Sequence, residues 1–506
     1  MIDRGKLLWG GVALLIGVAL TLLPLPYALL ALLTGILGIG ALIDVRIALA
    51  ITLFLAPLKA LLETEYPTLA ALPLDIGQAL LLITFFVWMG HTVIQRRRFV
   101  YWTPMYVPLI AFILSVLPSM WSSLSLELSL KDLAKWLEMV AIIALVLSLA
   151  EESTDWLIAA VIGAAGVQAV IGIYQFMGGS GVANFWILGY SHFRAFGSFG
   201  NPDPFAGFMS LGLCVAVGAL IQRLTVVWTD FRRGDGQVAG ILWFLLVATA
   251  LVLLSLGLLF SWSRGAWVGF GAALIVMLLC FPRRRWIGIA LLLATTIGVS
   301  VALILNLIPS SVISRFTDFT QQFSGYDVRG VLVGSDNYAL IERLAHWQTA
   351  IQIATDHPWF GTGLGSYAIV YPQYALMNWP LALGHAHNYY LNILAETGLV
   401  GLIGYLVAVF GVLGLITKAY LGAGKKRALV VGILGAWIGL SIHNAFDMLY
   451  VNNMYIHTGV LLGVVARIMR PTGMSKHIEN GTDFDSFRNG LADEPRDSRN
   501  KIAPKE

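Results

Sequence analysis

The residues with chemistry to offer lie in one polar stretch and in two short segments beside apolar runs. Between roughly Pro309 and Gly398 the chain carries Arg329, Arg343, His346, His357, His385 and His387, and closes on GHAHNYYLNILAETG. Upstream, Arg194 opens RAFGSFGNPDPFAGF and Arg264 lies in SWSRGAW. Arginine beside a membrane-length apolar run is costly unless it meets a partner, and no acidic residue neighbours Arg264 in sequence. A guanidinium offers a fork of N–H donors that fits a phosphate. Two or three such arginines converging at one membrane surface would suit a lipid-linked diphosphate. Arginines that only snorkel to lipid headgroups would give the same pattern.

The histidine pair admits several uses. On a strand, His385 and His387 would face one way and could hold a metal; on a helix they would not share a face. No third ligand stands at a metal-site spacing, so no metal is expected. A neutral imidazole near a hydroxyl could orient or deprotonate it. A loop histidine that only bonds backbone is the plainer alternative. GTGLG, from Gly361 to Gly365, could cradle a phosphate with its amides, but it lacks the ending of a nucleotide-binding loop and reads mainly as a tight turn. His443 and Asp447 in SIHNAFDMLY are four apart and share a helix face; they could pair, or Asp447 could balance an arginine. Glu138 is the acidic residue set deepest in an apolar run, as a proton site or a hydrogen-bonded packing residue.

These residues must be positioned by membrane helices. The chain has 506 residues, 58% hydrophobic and 12% charged, whereas soluble domains carry about 25% charged residues. The expected fold is all-α, a polytopic bundle of about 14 spans, or about 12 on a stricter count. About 11 would fall within residues 1–308 and about three within 399–470, with a large extracytoplasmic loop containing short helices over 309–398. The polar tail 471–506 is expected to be disordered and cytoplasmic. The apolar run Leu7 to Leu23 reads as the first helix rather than a cleaved signal. Lysines and arginines alternate between loops so that both termini fall inside and the large loop outside the cytoplasmic membrane. Cys214 and Cys280 both lie in apolar runs and imply no disulfide framework. A net charge of +4 gives no case for nucleic acid. Within the loop, Ser335 or Asp336 could cap a helix running to about Thr355, with Leu340, Ile341, Leu344, Trp347 and Ile351 as its apolar stripe. A second helix is expected from near His387 to Thr397, stopped by Gly398.

Taken together, three segments resemble the O-antigen ligase superfamily of bacterial membrane proteins: RAFGSFGNPDPFAGF, SRGAWVGF, and the loop with RLAHWQTAIQIATDHPWFGTGLGSY and HAHNYYLNILAETGLVG. The resemblance extends over roughly residues 75 to 470. It implies an inverting, metal-independent glycosyltransferase without a cofactor in the bacterial cytoplasmic membrane. Such an enzyme draws a glycan from undecaprenyl diphosphate and passes it to a lipid or glycan acceptor. By that resemblance Arg194 and Arg264 would bind the donor diphosphate and assist its departure. His387 would activate the acceptor hydroxyl. Arg343, His385, Asn388 and Asn201 would contact substrate. Ligases, polymerases, protein glycosyltransferases and members once proposed as inorganic-carbon transporters share these motifs, and a transporter is the alternative from another class.

Overall fold

The computed structural model describes residues 35 and 37–470, except 73, 151, 181, 183, 184, 188–190, 234–237, 315–326 and 335–336. The expected first helix, the tail and the capping residues Ser335 and Asp336 fall outside the described residues. Among the described residues the fold is all-α apart from a two-residue hairpin, β1 (Trp186–Ile187) with β2 (His192–Phe193). Eight of the described helices are long and apolar enough to cross a membrane, and three shorter apolar helices accompany them. The protein is therefore a polytopic membrane helix bundle. Of the spans expected, the one from Leu7 and most of the one from Tyr27 lie outside the described residues, and Tyr106–Ser122, Arg264–Cys280 and Met454–Ile468 are apolar but shorter than 18 residues.

The helices in chain order are α1 (Val45–Leu55), α2 (Lys59–Glu65), α3 (Ile76–Ile94), α4 (Tyr106–Val116), α5 (Leu126–Ser148), α6 (Ser153–Phe176), α7 (Pro202–Arg233), α8 (Val238–Phe260), α9 (Arg264–Cys280) and α10 (Arg285–Ile304). The loop region adds α11 (Tyr338–Asp356) and α12 (Tyr367–Tyr374), followed by α13 (Tyr389–Gly422), α14 (Arg427–His443) and α15 (Met454–Ile468). Local chemistry sets the helix starts. Asp75 and Gln78 form a reciprocal capping box at α3, Ser125 caps α5, and Ser263 caps α9.

The bundle centres on α7 and α14, where Gly218 and Gly432 let the backbones meet: a methyl at Gly432 would stand 2.6 Å from the Cys214 carbonyl. At the end away from the loop, arginines cap helix C-termini. Arg467 donates to the carbonyls of Val146, Leu149 and Ala150, and Arg427 to those of Cys280 and Pro282.

The loop has two small cores of its own. One joins Ala350, Ile353, Tyr367, Val370, Tyr371, Ala386 and Ala395; the other joins Val328, Leu340, Ile341, Leu344, Ala345 and Trp379. The expected stripe is half right. Leu340, Ile341 and Leu344 are buried, but Ile351 is 51% exposed, and Ile353 takes its place. The stripe packs within the loop and against α13.

α13 is kinked at Gly398, with φ 64° and ψ −166°. The turn after α11 clasps this kink. Gly363 N–H donates to the Glu396 carbonyl at 2.8 Å, and Leu399 and Val400 donate to Pro358 and Trp359. A methyl at Gly398 would sit 2.3 Å from the Trp359 carbonyl carbon. The Thr362 and Gly363 amides are thus spent on α13 and the Gly361 amide on the His357 carbonyl, in keeping with turn chemistry rather than a phosphate cradle. Gly398→Ala combines backbone strain with overpacking and is expected to cost on the order of 2–5 kcal/mol. A thermal melt in detergent checks this; an unchanged melting temperature would show that the clasp is loose.

Candidate functional site

Arg194, Arg264, Arg343 and the pair His385 and His387 come to one end of the bundle from four separate parts of the chain. Arg194 follows β2 in a segment held by two buried glutamines of α6. Gln175 Oε1 accepts from Phe196 N–H at 3.0 Å and Gly197 N–H at 2.8 Å. Its Nε2 donates to the Gly197 carbonyl at 2.8 Å. Gln168 Oε1 accepts from the amide and hydroxyl of Ser198, both at 2.9 Å. Buried amides need partners, and the two side chains supply them where no strand or helix does. Sequence reasoning passed over both; the signal was a pair of glutamines seven residues apart in an apolar helix.

A carboxylate missed in the sequence organises the arginines. Asp203, in the first turn of α7, accepts from Arg194 Nη2 at 3.1 Å on one oxygen and from Arg343 Nη2 at 2.8 Å on the other. Arg194 Nε also donates to the Ser261 carbonyl at 2.8 Å. Burial lowers the pKa of Arg194, and the Asp203 charge works against that shift. Asn201 accepts from Asp203 N–H at 2.9 Å, so its carboxamide oxygen braces the helix start. Arg264 is the first residue of α9 and 8% exposed. Its neighbour Gly265 lies against His443, since a methyl there would be 2.8 Å from the His443 ring.

The histidine pair stands beside this cluster. His387 has φ 50°, an uncommon left-handed backbone for a side-chain-bearing residue. Its amide donates to His385 Nδ1 at 3.0 Å, and its carbonyl accepts from Trp347 Nε1 at 3.2 Å. Asn388 then caps α13, with its side-chain oxygen accepting from Tyr390 and Leu391 amides at 3.0 and 3.1 Å. Asp447 Oδ1 lies 3.4 Å from His385 Nε2 and 3.8 Å from His387 Nδ1. The second distance is too long for a hydrogen bond, and neither ring nitrogen of His387 has a hydrogen-bond partner. Burial pushes the Asp447 carboxyl up, but His387 and His385 outweigh it and hold it below the usual carboxylate range. Asp447 therefore faces the loop histidines rather than pairing with His443, whose link to it is the backbone bond from Asp447 N–H to the His443 carbonyl at 3.2 Å.

The structure supplies the third group that sequence spacing did not. Ligand atoms of His385, His387 and Asp447 lie within 4.8 Å of one another, an arrangement that could hold a metal ion. Arg343 is close enough for its charge to act on His385, and Arg194 feels Asp447. Asp203 and Asp447 act on His385 with the opposite sign, so the charges around the trio are mixed. Arg329 instead pairs with Asp327 at an exposed position. Glu138 lies apart from the cluster, where it accepts from Tyr455 and from Gln78 Nε2 at 3.4 Å. A cavity of about 320 Å³, lined by Asp44, His91, Arg97 and Ser148, sits at the opposite end of the bundle and shares no residue with the cluster.

On the far side of His387, His346 is 1% exposed, bonds the Tyr367 hydroxyl at 3.0 Å and stacks on Tyr371. Burial lowers its pKa to about 3, and burial together with the nearby His387 charge lowers that of His385 to about 4, both from 6.5. A depressed folded pKa means that the unfolded chain binds more protons between the two values, so stability falls as pH drops below about 6.5. The melting temperature in detergent is expected to fall between pH 7 and 4.5, and less steeply in His346→Gln. Parallel slopes in the two proteins would remove His346 as a contributor.

The fold makes the chain a multi-pass membrane protein with a polar cluster at one end. Residues 249–406 match the model of the O-antigen ligase family, Wzy_C, so the chain carries an O-antigen ligase domain over that span. The matched span includes Arg264, Arg343, His385, His387 and Asn388, and is narrower than the resemblance read from the sequence. Arg194, Asn201, Asp203 and Asp447 lie outside it. No curated protein matches the chain.

Proposed function

We propose that the protein is a membrane glycosyltransferase of the O-antigen ligase type. It transfers a glycan from undecaprenyl diphosphate to an acceptor hydroxyl on the outer side of the bacterial cytoplasmic membrane, with both termini inside. The observation that carries this reading is the convergence of Arg194, Arg343 and Arg264 with His387 and Asp447 at one end of the bundle. In the reaction, the acceptor oxygen attacks the anomeric carbon as the bond from that carbon to the diphosphate breaks. The acceptor proton passes to His387, whose ring Asp447 faces. The departing diphosphate gains negative charge, which the arginines stabilise. Attack opposite the leaving group inverts the anomeric centre. The negative charge that builds on the departing group is balanced by guanidinium groups, which lets the reaction proceed without a metal.

A transporter would place its ionisable groups along a route near the midplane. The charge distribution favours the enzyme, with Glu138 bonded away from the cluster. The test is transfer by purified protein given host undecaprenyl-diphosphate glycan and envelope acceptors, with and without EDTA, beside Glu138→Gln. A heavier glycan with release of undecaprenyl diphosphate is expected, unaffected by EDTA and retained in Glu138→Gln. No product from any host acceptor would overturn the enzyme. Activity lost to EDTA and restored by one divalent ion would overturn the metal-independent mechanism.

A further inference from the structure

We propose that Asp203 is a positioning residue that occupies the place of the donor's phosphate between Arg194 and Arg343 and sets the spacing at which they receive it. This rests on the reading of the donor as a polyprenyl diphosphate. Asp203 divides its oxygens between the two guanidiniums, at 3.1 Å to Arg194 and 2.8 Å to Arg343. Ser263, the residue before Arg264, also reaches this carboxylate. Three donors from three elements thus surround one anionic group, as they would surround a phosphate.

The carboxylate is built in. It is 8% exposed, it sits in the first turn of α7, where the helix favours an anion, and its own amide is fixed by Asn201 at 2.9 Å. Arg194 has a second tie, to the Ser261 carbonyl at 2.8 Å. Arg343 reaches across from the loop helix α11, 140 residues away in sequence, so Asp203 joins the loop to the bundle. Two consequences follow. The resident carboxylate competes with the donor, because both call on the same N–H groups. It also keeps the guanidiniums apart and aimed, and aim matters most as charge develops on the leaving group.

The two roles separate on removing the charge without changing the shape. In Asp203→Asn, the competing anion is lost and the net positive charge of the cluster rises, so undecaprenyl diphosphate is expected to bind several-fold more tightly. The fixed aim is lost too, so kcat is expected to fall at least tenfold on the order expected for loss of orientation. Binding of undecaprenyl diphosphate in detergent and the kcat and KM for donor would be measured on wild type, Asp203→Asn and Asp203→Glu, with a thermal melt for each. Tighter binding with lower kcat in Asp203→Asn, and partial recovery of kcat in Asp203→Glu, is the expected result. Weaker binding and lower kcat together in a protein that melts normally, or no change in either, would overturn the proposal. If Asp203→Asn fails to fold, tighter binding in a folded Asp203→Glu, whose longer arm would displace the carboxylate from its place, supports it and unchanged binding overturns it. Wild type that neither binds undecaprenyl diphosphate nor transfers glycan would overturn the donor assignment itself.

Discussion

Replacing His387 by alanine is expected to abolish glycan transfer and leave the protein folded. General base catalysis contributes about 10²–10⁴-fold, and a fall of that size in kcat is expected. The residue is well placed for the role. Its backbone is pinned on both sides, by His385 Nδ1 and by Trp347. Its ring nitrogens, by contrast, are buried and have no hydrogen-bond partner. A buried polar atom left unpartnered in a native site commonly has a functional reason. Histidine adopts φ 50° somewhat more readily than alanine, so the substitution adds a little backbone strain, which the melt reads. Kinetics and a thermal melt on the same preparation make the test. A variant that retains more than about a tenth of wild-type kcat would show that the acceptor proton goes elsewhere, since base catalysis is worth more than that.

Arg264→Ala is expected to lower kcat by about 10²–10³-fold, the size of losing one strong donor to a developing anion. The sequence position argues that Arg264 is kept for chemistry. A cation in the first turn of a helix opposes the helix dipole, and this one is also 8% exposed at the start of α9. Arg264→Lys is expected to recover only part of the rate, because an ammonium carries the charge without the planar fork. The loss should fall more on kcat than on donor KM, since the leaving diphosphate gains charge only as its bond breaks. Equal rates in Arg264→Lys and wild type would reduce the role to bulk charge, and unimpaired transfer by Arg264→Ala would remove it altogether.

Much of the architecture could be read from the sequence because the bilayer imposes a simple rule on composition. Apolar runs of membrane length became helices, and the stop at Gly398 became a kink with the start of α13 at Tyr389, two residues from where it was expected. Arg194 and Arg264 stood out because arginine is costly beside apolar spans, while His387 and Arg343 stood out through the resemblance to the O-antigen ligase superfamily. What escaped was pairing across distance. Asp203 in NPDP drew no attention, because nothing local joins it to Arg343. Asp447 was seen, with His443 or an arginine as its partner, but α14 ends at His443 and the following turn carries the carboxylate to His385, with its charge also felt by Arg194. Gln168 and Gln175 were invisible for a related reason: their partners are loop amides, and a hydropathy pattern carries no trace of those. The apolar stripe of α11 was displaced at Ile351 because that helix buries its face in the loop's own cores.

The kink at Gly398 means that one continuous helix answers to two different hosts. The part before it is gripped by the 357–366 turn and carries the cap that follows His387; the part after it runs among the spans. A helix in a bilayer adjusts its tilt to the thickness of the hydrocarbon layer. Here that adjustment can be taken up below the hinge, while the reacting end keeps its attachment to the loop. The geometry around His387 is thereby insulated from the lipid composition of the surrounding membrane, and an envelope could remodel its acyl chains without detuning the chemistry at its surface.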